Sequence, residues 1–93
     1  MALLSDKEIE GRLEQLTDWQ RKGDAIERDF KRDGGFVGAV DFVNALTPVA
    51  EEMNHHPDLS VSWDTVTVSI STHSEGGITG NDFELAKRIE ALG

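Results

Sequence analysis

The apolar positions at the start of the chain predict a short helix followed by a β-hairpin. Ser5-Asp6-Lys7-Glu8 has the spacing of a capping box, in which two side chains satisfy free amides at a helix start. From Trp19 to Arg32 the pattern instead alternates with a period of two, and Lys22-Gly23-Asp24 supplies turn chemistry between two strands. The apolar residues between these segments share one helical face: Ile9, Leu13 and Leu16.

A long helix is predicted after Asp33-Gly34-Gly35, running to about Asn54. Pro48 lacks the amide that would bond to Asn44, which costs about 3 kcal/mol inside a helix, so we expect one helix with a kink there. Pro57 ends the helix and pushes the preceding residue towards extended geometry. The face that buries against the sheet is expected to carry Phe36, Ala39, Val40, Val43 and Leu46 or Thr47.

Two further strands and a last helix complete the expected fold. Leu59, Val61 and Trp63 alternate with serines, which predicts a third strand. Asp64-Thr65 makes a tight connection to a fourth strand, which has one apolar face and one hydroxyl-rich face. Thr79-Gly80-Asn81-Asp82 has the spacing of a second capping box, before a helix driven by Phe83, Ala86, Ile89 and Leu92. The prediction is one α+β domain over residues 1–93, ordered αββαββα, with three helices on one face of a four-stranded antiparallel sheet.

Composition narrows the function classes. The 93 residues include 9 Lys and Arg against 18 Asp and Glu, a net charge of −9, which disfavours binding to nucleic acid or anionic membranes. The absence of cysteine excludes disulfides and thiolate chemistry. No apolar run approaches the roughly 20 residues of a membrane span, and no signal peptide is visible, so we expect a cytoplasmic protein.

Three histidines and two carboxylates are the candidate chemistry. His55 and His56 stand at the end of the long helix, Glu51 lies one helical turn before His55, and His73 follows the fourth strand. An imidazole titrates at about 6.5, so such a group can move protons near neutral pH. Each residue also has a structural explanation: His55 as a cation at a helix end, His56 and His73 as solvated residues, and Glu51 as a solvated helix residue.

Asp82 has a structural explanation of its own, as the third residue of a capped helix. The same side chains include zinc ligand types, which raises a metal site as an alternative. No His-Glu-x-x-His helix is present, however, and the adjacent imidazoles of His55 and His56 project in different directions. We therefore expect no metal.

Seven residues with a definite spacing run through the second half of the chain. They are Glu51, after three residues His55-His56-Pro57, after five Trp63, after nine His73, and after eight Asp82. This series resembles the signature of pterin-4a-carbinolamine dehydratases, and the αββαββα order extends the resemblance over the whole chain. It implies a dehydratase that eliminates water from the 4a-hydroxytetrahydropterin left by aromatic amino-acid hydroxylases. The product would be quinonoid dihydropterin, in tetrahydrobiopterin recycling, with no metal or redox cofactor.

The resemblance also implies roles for individual residues. His56 and His73 would be the acid and base, in either order, with His55 assisting, Glu51 orienting His55, and Asp82 behind His73 or holding the last helix at the pocket. The resemblance also implies a homodimer or homotetramer, and a core as small as this one would gain buried surface by such association. The alternative is a non-catalytic interaction module, a coactivator or assembly factor, on the same fold. For the dehydratase, the resemblance implies that the pterin is contacted by Asn54, His55, His56, Pro57, Trp63, Ser71, Thr72, His73 and Ser74.

Overall fold

A computed structural model describes residues 2–93, so only Met1 of the expected domain lies outside the described residues. The order αββαββα is confirmed, with a single 3-10 turn added between the last strand and the last helix. The elements are α1 (Asp6–Leu13), β1 (Gln20–Lys22), β2 (Ala25–Lys31), α2 (Gly35–Met53), β3 (Asp58–Ser62), β4 (Thr65–Ile70), the 3-10 turn (His73–Glu75) and α3 (Gly80–Glu90).

The four strands form one antiparallel sheet in the order β1-β2-β4-β3. The expected hairpins are both present, and the long pairing of β2 with β4 joins them, from Ile26 opposite Ile70 to Lys31 opposite Thr65. Burial alternates along β4, where every second side chain is buried against the helices. One face of the sheet therefore carries the core and the other is polar. The buried strand residues are Ile26, Phe30, Val66, Val68 and Ile70.

Helix α1 begins with the expected capping box. The Ser5 amide donates to Glu8 Oε1 over 3.0 Å, and the Glu8 amide donates back to Ser5 Oγ over 3.1 Å. The backbone amide of Ser5, followed by its hydroxyl, holds the pKa of the Glu8 carboxyl below its usual range. The helix ends at Leu13, so of the predicted apolar stripe only Ile9 is buried, while Leu13 and Leu16 pack against the edge of the core.

The buried face of α2 differs from the prediction. Ala39 and Leu46 are buried as expected, but Phe36 and Val40 are exposed, and their place in the core is taken by Phe42 and Ala50. The helix is apolar on more than one side, so periodicity alone could not choose its rotation. At the start of the helix only glycine fits position 38, since a Cβ there would lie 1.8 Å from the carbonyl oxygen of Asp33.

Pro48 lies inside a single helix, as expected, and α2 runs unbroken from Gly35 to Met53. The Thr47 hydroxyl donates to the Val43 carbonyl over 2.7 Å, so Thr47 is not the start of a second helix. The helix ends one residue before Asn54, which adopts a left-handed conformation with φ 49°. His55 and His56 therefore follow the helix instead of belonging to its last turn.

Candidate active site

The histidines lie on the connections at one end of the sheet. His55 and His56 join α2 to β3, and His73 begins the 3-10 turn that follows β4. Because β3 and β4 are antiparallel and Asp58 pairs with Ser69, the start of β3 lies beside the end of β4. The topology thus brings imidazoles from two distant stretches of the chain to the same end of the molecule.

His55 is the most enclosed of the three imidazoles. Its Nε2 lies 2.5 Å from Asp82 Oδ1, with the histidine side chain 13% exposed and the aspartate fully buried. The prediction that Asp82 lies behind His73 is wrong, because the imidazole that Asp82 contacts is that of His55. The alternative expectation, that Asp82 holds the last helix, agrees with the structure, since its Oδ2 accepts the Thr79 amide at 2.8 Å.

Two buried threonines complete the surroundings of Asp82. The Thr72 hydroxyl donates to Asp82 Oδ1 over 3.0 Å and lies 2.8 Å from the Thr79 hydroxyl. The backbone of Thr72 is also occupied, because its amide donates to Gly77 and its carbonyl accepts from the loop. Thr72, predicted as a pterin contact, thus makes its polar contacts within the protein. Thr79 was not singled out from the sequence beyond its capping position, since no local pattern reveals this tertiary contact.

His56 pairs with Glu51, through Nε2 and Oε2. The expectation that Glu51 orients His55 is therefore wrong. That expectation assumed helical spacing up to residue 55. The left-handed Asn54 instead turns the chain, so that His56 and not His55 meets the carboxylate. Both side chains of this pair are exposed, in contrast to the buried pair of His55 and Asp82.

His73 is the most exposed imidazole, at 76%, and its Nε2 lies 3.8 Å from Asp58 Oδ2. Sequence reasoning missed Asp58, although the register of the β3–β4 hairpin contains the signal that places it opposite Ser69. A shallow cavity of about 280 Å³ borders this histidine and is lined by Asp24, Ala25, Ser71, His73, Gly76 and Gly77. Of the other predicted contacts, Ser74 lies in the 3-10 turn, and Asn54 and Pro57 flank the histidine pair.

Trp63 is the predicted site residue that the fold does not bring to the histidines. The sequence placed Trp63 in the third strand, but the strand ends at Ser62 and Trp63 is the first residue of the two-residue turn after β3. The five residues of β3, about 17 Å long at about 3.4 Å per residue, lie between Trp63 and the segment that carries His56. Trp63 is 71% exposed and adopts φ 49°, a left-handed conformation that is costly for a bulky side chain.

Neither a metal cluster nor a membrane-spanning helix is found in the described part of the chain. Within residues 2–93, no three His, Asp or Glu side chains lie close enough together to hold a metal ion. In the same residues, no helix combines the length and apolar character that crossing a lipid bilayer requires. The side chains gathered at this end of the sheet are three imidazoles, each next to one carboxylate: His55 with Asp82, His56 with Glu51, and His73 with Asp58.

Comparisons with known proteins identify the family of the chain. The family described as Pterin 4 alpha carbinolamine dehydratase matches residues 2–92. A relative from Roseiflexus castenholzii, whose name refers to the same dehydratase, is 46% identical over 98% of this chain and 97% of its own. The crystal structure of a transcriptional coactivator/pterin dehydratase from Brucella melitensis has a TM-score of 0.90 at 33% identity, covering 97% of both chains.

A more distant structure shares the fold alone. It is a pterin dehydratase-like protein identified as a RuBisCO assembly factor in the alpha-carboxysome, with a TM-score of 0.62 at 23% identity over 80% of this chain and 84% of its own. The family match, by contrast, spans residues 2–92, a range that contains the segment from Glu51 to Asp82. The chain therefore belongs to the pterin-4a-carbinolamine dehydratase family.

Proposed function

We propose that this protein dehydrates 4a-hydroxytetrahydropterin to quinonoid dihydropterin by histidine acid–base catalysis. The observation that carries the proposal is the gathering of three imidazoles, each with its own carboxylate, at one end of the sheet. Membership of the dehydratase family supports the substrate class. A 4a-hydroxytetrahydrobiopterin supplied by an aromatic amino-acid hydroxylase is the substrate we propose, in tetrahydrobiopterin recycling.

The reaction needs one proton removed and one delivered. A base takes the proton from N5, the N5 electron pair forms the N5=C4a double bond, and the C4a–O bond breaks. An acid protonates the departing hydroxide, which leaves as water, so atoms and charge balance and no electrons are gained or lost. No redox cofactor or metal is required for this elimination. Two imidazoles on opposite sides of the reacting bond would supply both proton transfers.

The exposures divide the three imidazoles into two kinds. His56 and His73 are exposed and can exchange protons with water between turnovers, which suits the acid and the base. His55 is held by a buried carboxylate and suits a precisely oriented contact to the hydroxyl or to N5. Ser71, in the cavity beside His73, would meet the polar edge of the pterin.

The test is a stopped-flow measurement of carbinolamine breakdown over its spontaneous background. We expect His73→Ala to lower turnover by roughly 10²-fold or more, the usual scale for losing a general acid or base. The matched control is His73→Gln, which keeps the bulk of the side chain and should lose as much, since it cannot transfer the proton. A His73→Ala variant that turns over at the wild-type rate would overturn the assignment.

A homodimer or homotetramer is also part of the proposal. Strand β3 is an edge strand with every residue exposed, and apolar side chains on β3 and α2 are exposed near it. Such an edge can pair with a second copy of itself. Antiparallel pairing of two β3 edges centred on Ser60 would set Trp63 of one subunit opposite Pro57 of the other, next to the histidines. Light scattering that finds a stable monomer would contradict this expectation. The exposed apolar side chains that such a contact would cover are Phe36, Val37 and Val40 on α2 and Leu59 and Val61 on β3.

The second candidate function is a non-catalytic interaction module. Two structural relatives are named for such roles, one as a coactivator and one as an assembly factor, and the exposed apolar side of α2 could receive a protein partner. A net charge of −9 favours a protein over nucleic acid as that partner. Pterin binding separates the two functions, because a dihydropterin analogue should protect the histidines from chemical modification only if the enzyme site is intact.

A further inference from the structure

A one-directional chain of hydrogen bonds leads to Asp82. The Thr72 hydroxyl lies within hydrogen-bond distance of both the Thr79 hydroxyl, at 2.8 Å, and Asp82 Oδ1, at 3.0 Å. Each hydroxyl has a single proton, and a carboxylate only accepts. The proton of Thr72 must therefore point to Asp82, and Thr79 must donate its own proton to Thr72. All three side chains are buried, so no water competes for these bonds.

The same accounting limits the imidazole of His55. Asp82 Oδ1 already accepts from Thr72, and Oδ2 accepts from the Thr79 amide at 2.8 Å. Each oxygen of an ionised carboxylate can accept two hydrogen bonds, so Oδ1 accepts from Thr72 and keeps a second lone pair for the imidazole of His55. The carboxylate thus acts as an acceptor towards His55, and the ring nitrogen 2.5 Å away must bring the hydrogen. In the neutral ring the hydrogen sits on Nε2, and the lone pair sits on Nδ1.

We propose that Thr72 and Thr79, through Asp82, lock His55 in the tautomer with hydrogen on Nε2, so that Nδ1 is the nitrogen that exchanges protons with substrate. Thr72 is then a positioning residue for catalysis and not a pterin contact. The proton-exchange part rests on the proposed function, whereas the tautomer is a property of the free protein. No described hydrogen bond occupies Nδ1, which leaves its lone pair available.

The first test is nitrogen NMR of histidine in the free protein at a pH where the ring is neutral. We expect His55, assigned with a His55→Gln variant, to carry its hydrogen on Nε2. This measurement needs neither substrate nor a variant at position 72. A wild-type His55 with hydrogen on Nδ1 overturns the proposal, even if the protein proves to be a dehydratase. An inactive protein with the Nε2–H form would overturn the proposed function alone.

The second test removes the hydroxyl of Thr72. Thr72→Val keeps the shape of the side chain but deletes the donor to Asp82. We expect kcat to fall about 10- to 100-fold with KM unchanged, by analogy with the partners that orient metal-bound histidines. The Nε2 proton resonance of His55 should shift or broaden. Thr72→Ser keeps the hydroxyl and should restore both properties, which a purely packing role would not predict.

The chain offers a matched control on the same strand region. Thr67 also donates to an aspartate, Asp29, over 2.7 Å, but on the exposed face of the sheet away from the histidines. Thr67→Val makes the same chemical change and should leave kcat and the His55 resonance as in the wild type. Should Thr72→Val fail to fold, Thr79→Val breaks the chain one step earlier and should shift the same resonance. Wild-type kcat and an unmoved His55 signal in a folded Thr72→Val or Thr79→Val variant would refute the positioning role.

Discussion

Replacing Asp82 by asparagine is the most informative single change at this site. The carboxylate is fully buried and receives three donors: the imidazole of His55, the hydroxyl of Thr72 and the amide of Thr79. Asparagine has the same shape but turns one of the two acceptors into a donor. If its nitrogen takes the Oδ2 side, it faces the Thr79 amide. If it takes the Oδ1 side, it faces Thr72 and His55.

The magnitudes follow from these two arrangements. A donor left without a partner in the interior costs about 1–3 kcal/mol, so the free energy of unfolding should fall by that amount in either arrangement. The Thr79 amide cannot reorient, whereas the Thr72 hydroxyl and the imidazole proton can, so the nitrogen should take the Oδ1 side. There the imidazole avoids the conflict by moving its hydrogen from Nε2 to Nδ1, which removes the free lone pair. We therefore expect turnover of Asp82→Asn to drop by about 10²-fold or more, the scale of a lost general acid–base contribution.

Urea unfolding and stopped-flow turnover measure the two effects separately. The matched control is Asp29→Asn, which changes an exposed carboxylate that also accepts from a threonine and should lose little stability and no activity. An Asp82→Asn protein with the stability and turnover of the wild type would refute the reasoning, because it would mean that the three donors do not require an acceptor there. A loss of stability alone would limit Asp82 to holding α3.

Two further predictions concern the fold. Gly38→Ala should destabilise the protein by about 3 kcal/mol or more, because its Cβ would lie 1.8 Å from the Asp33 carbonyl oxygen. Gly11→Ala, whose Cβ would meet no atom within 4 Å, should instead stabilise α1 by up to about 1 kcal/mol. Thermal unfolding compares the two variants, and equal effects would contradict the packing argument. The folded-state pKa of Glu8 is lowered, so its stabilising contribution is present above the unfolded pKa of about 4.3 and is lost as pH falls through the folded value. Glu8→Gln should accordingly flatten the acid limb of the unfolding free energy against pH, and an unchanged limb would argue against this.

Much of the fold could be predicted from local pattern. The period-two stretches became β2 and β4, and Ser5 caps α1 through Glu8 as its spacing indicated. These features depend on neighbours within a few residues, and the backbone imposes the periods of two and 3.6. The rotation of α2 could not be predicted in this way, because Phe36 and Val40 continue an apolar stripe as well as Phe42 does. The packing of α2 against the sheet and α3 selected the face that carries Phe42.

The candidate site divides in the same manner. Spacing identified its histidines and carboxylates, and these residues do lie at or next to the ends of elements. It did not identify their pairing: Glu51 contacts His56 instead of His55, and Asp82 contacts His55 instead of His73. The reason is that a helix spacing rule stops applying at the left-handed residue Asn54, after which direction is a tertiary property.

The order of helices and strands, the family signature and the acidic charge were thus determined by the sequence alone, since they depend on residue type and short separations. The burial of Asp82 beneath Thr72 and Thr79 was decided only by the tertiary structure, because it joins the end of β4 to the start of α3 across the loop between them. The same holds for Trp63, which the sheet carries to the opposite end from the histidines. Contacts of this kind arise from how whole elements pack, and no run of neighbouring residues encodes them.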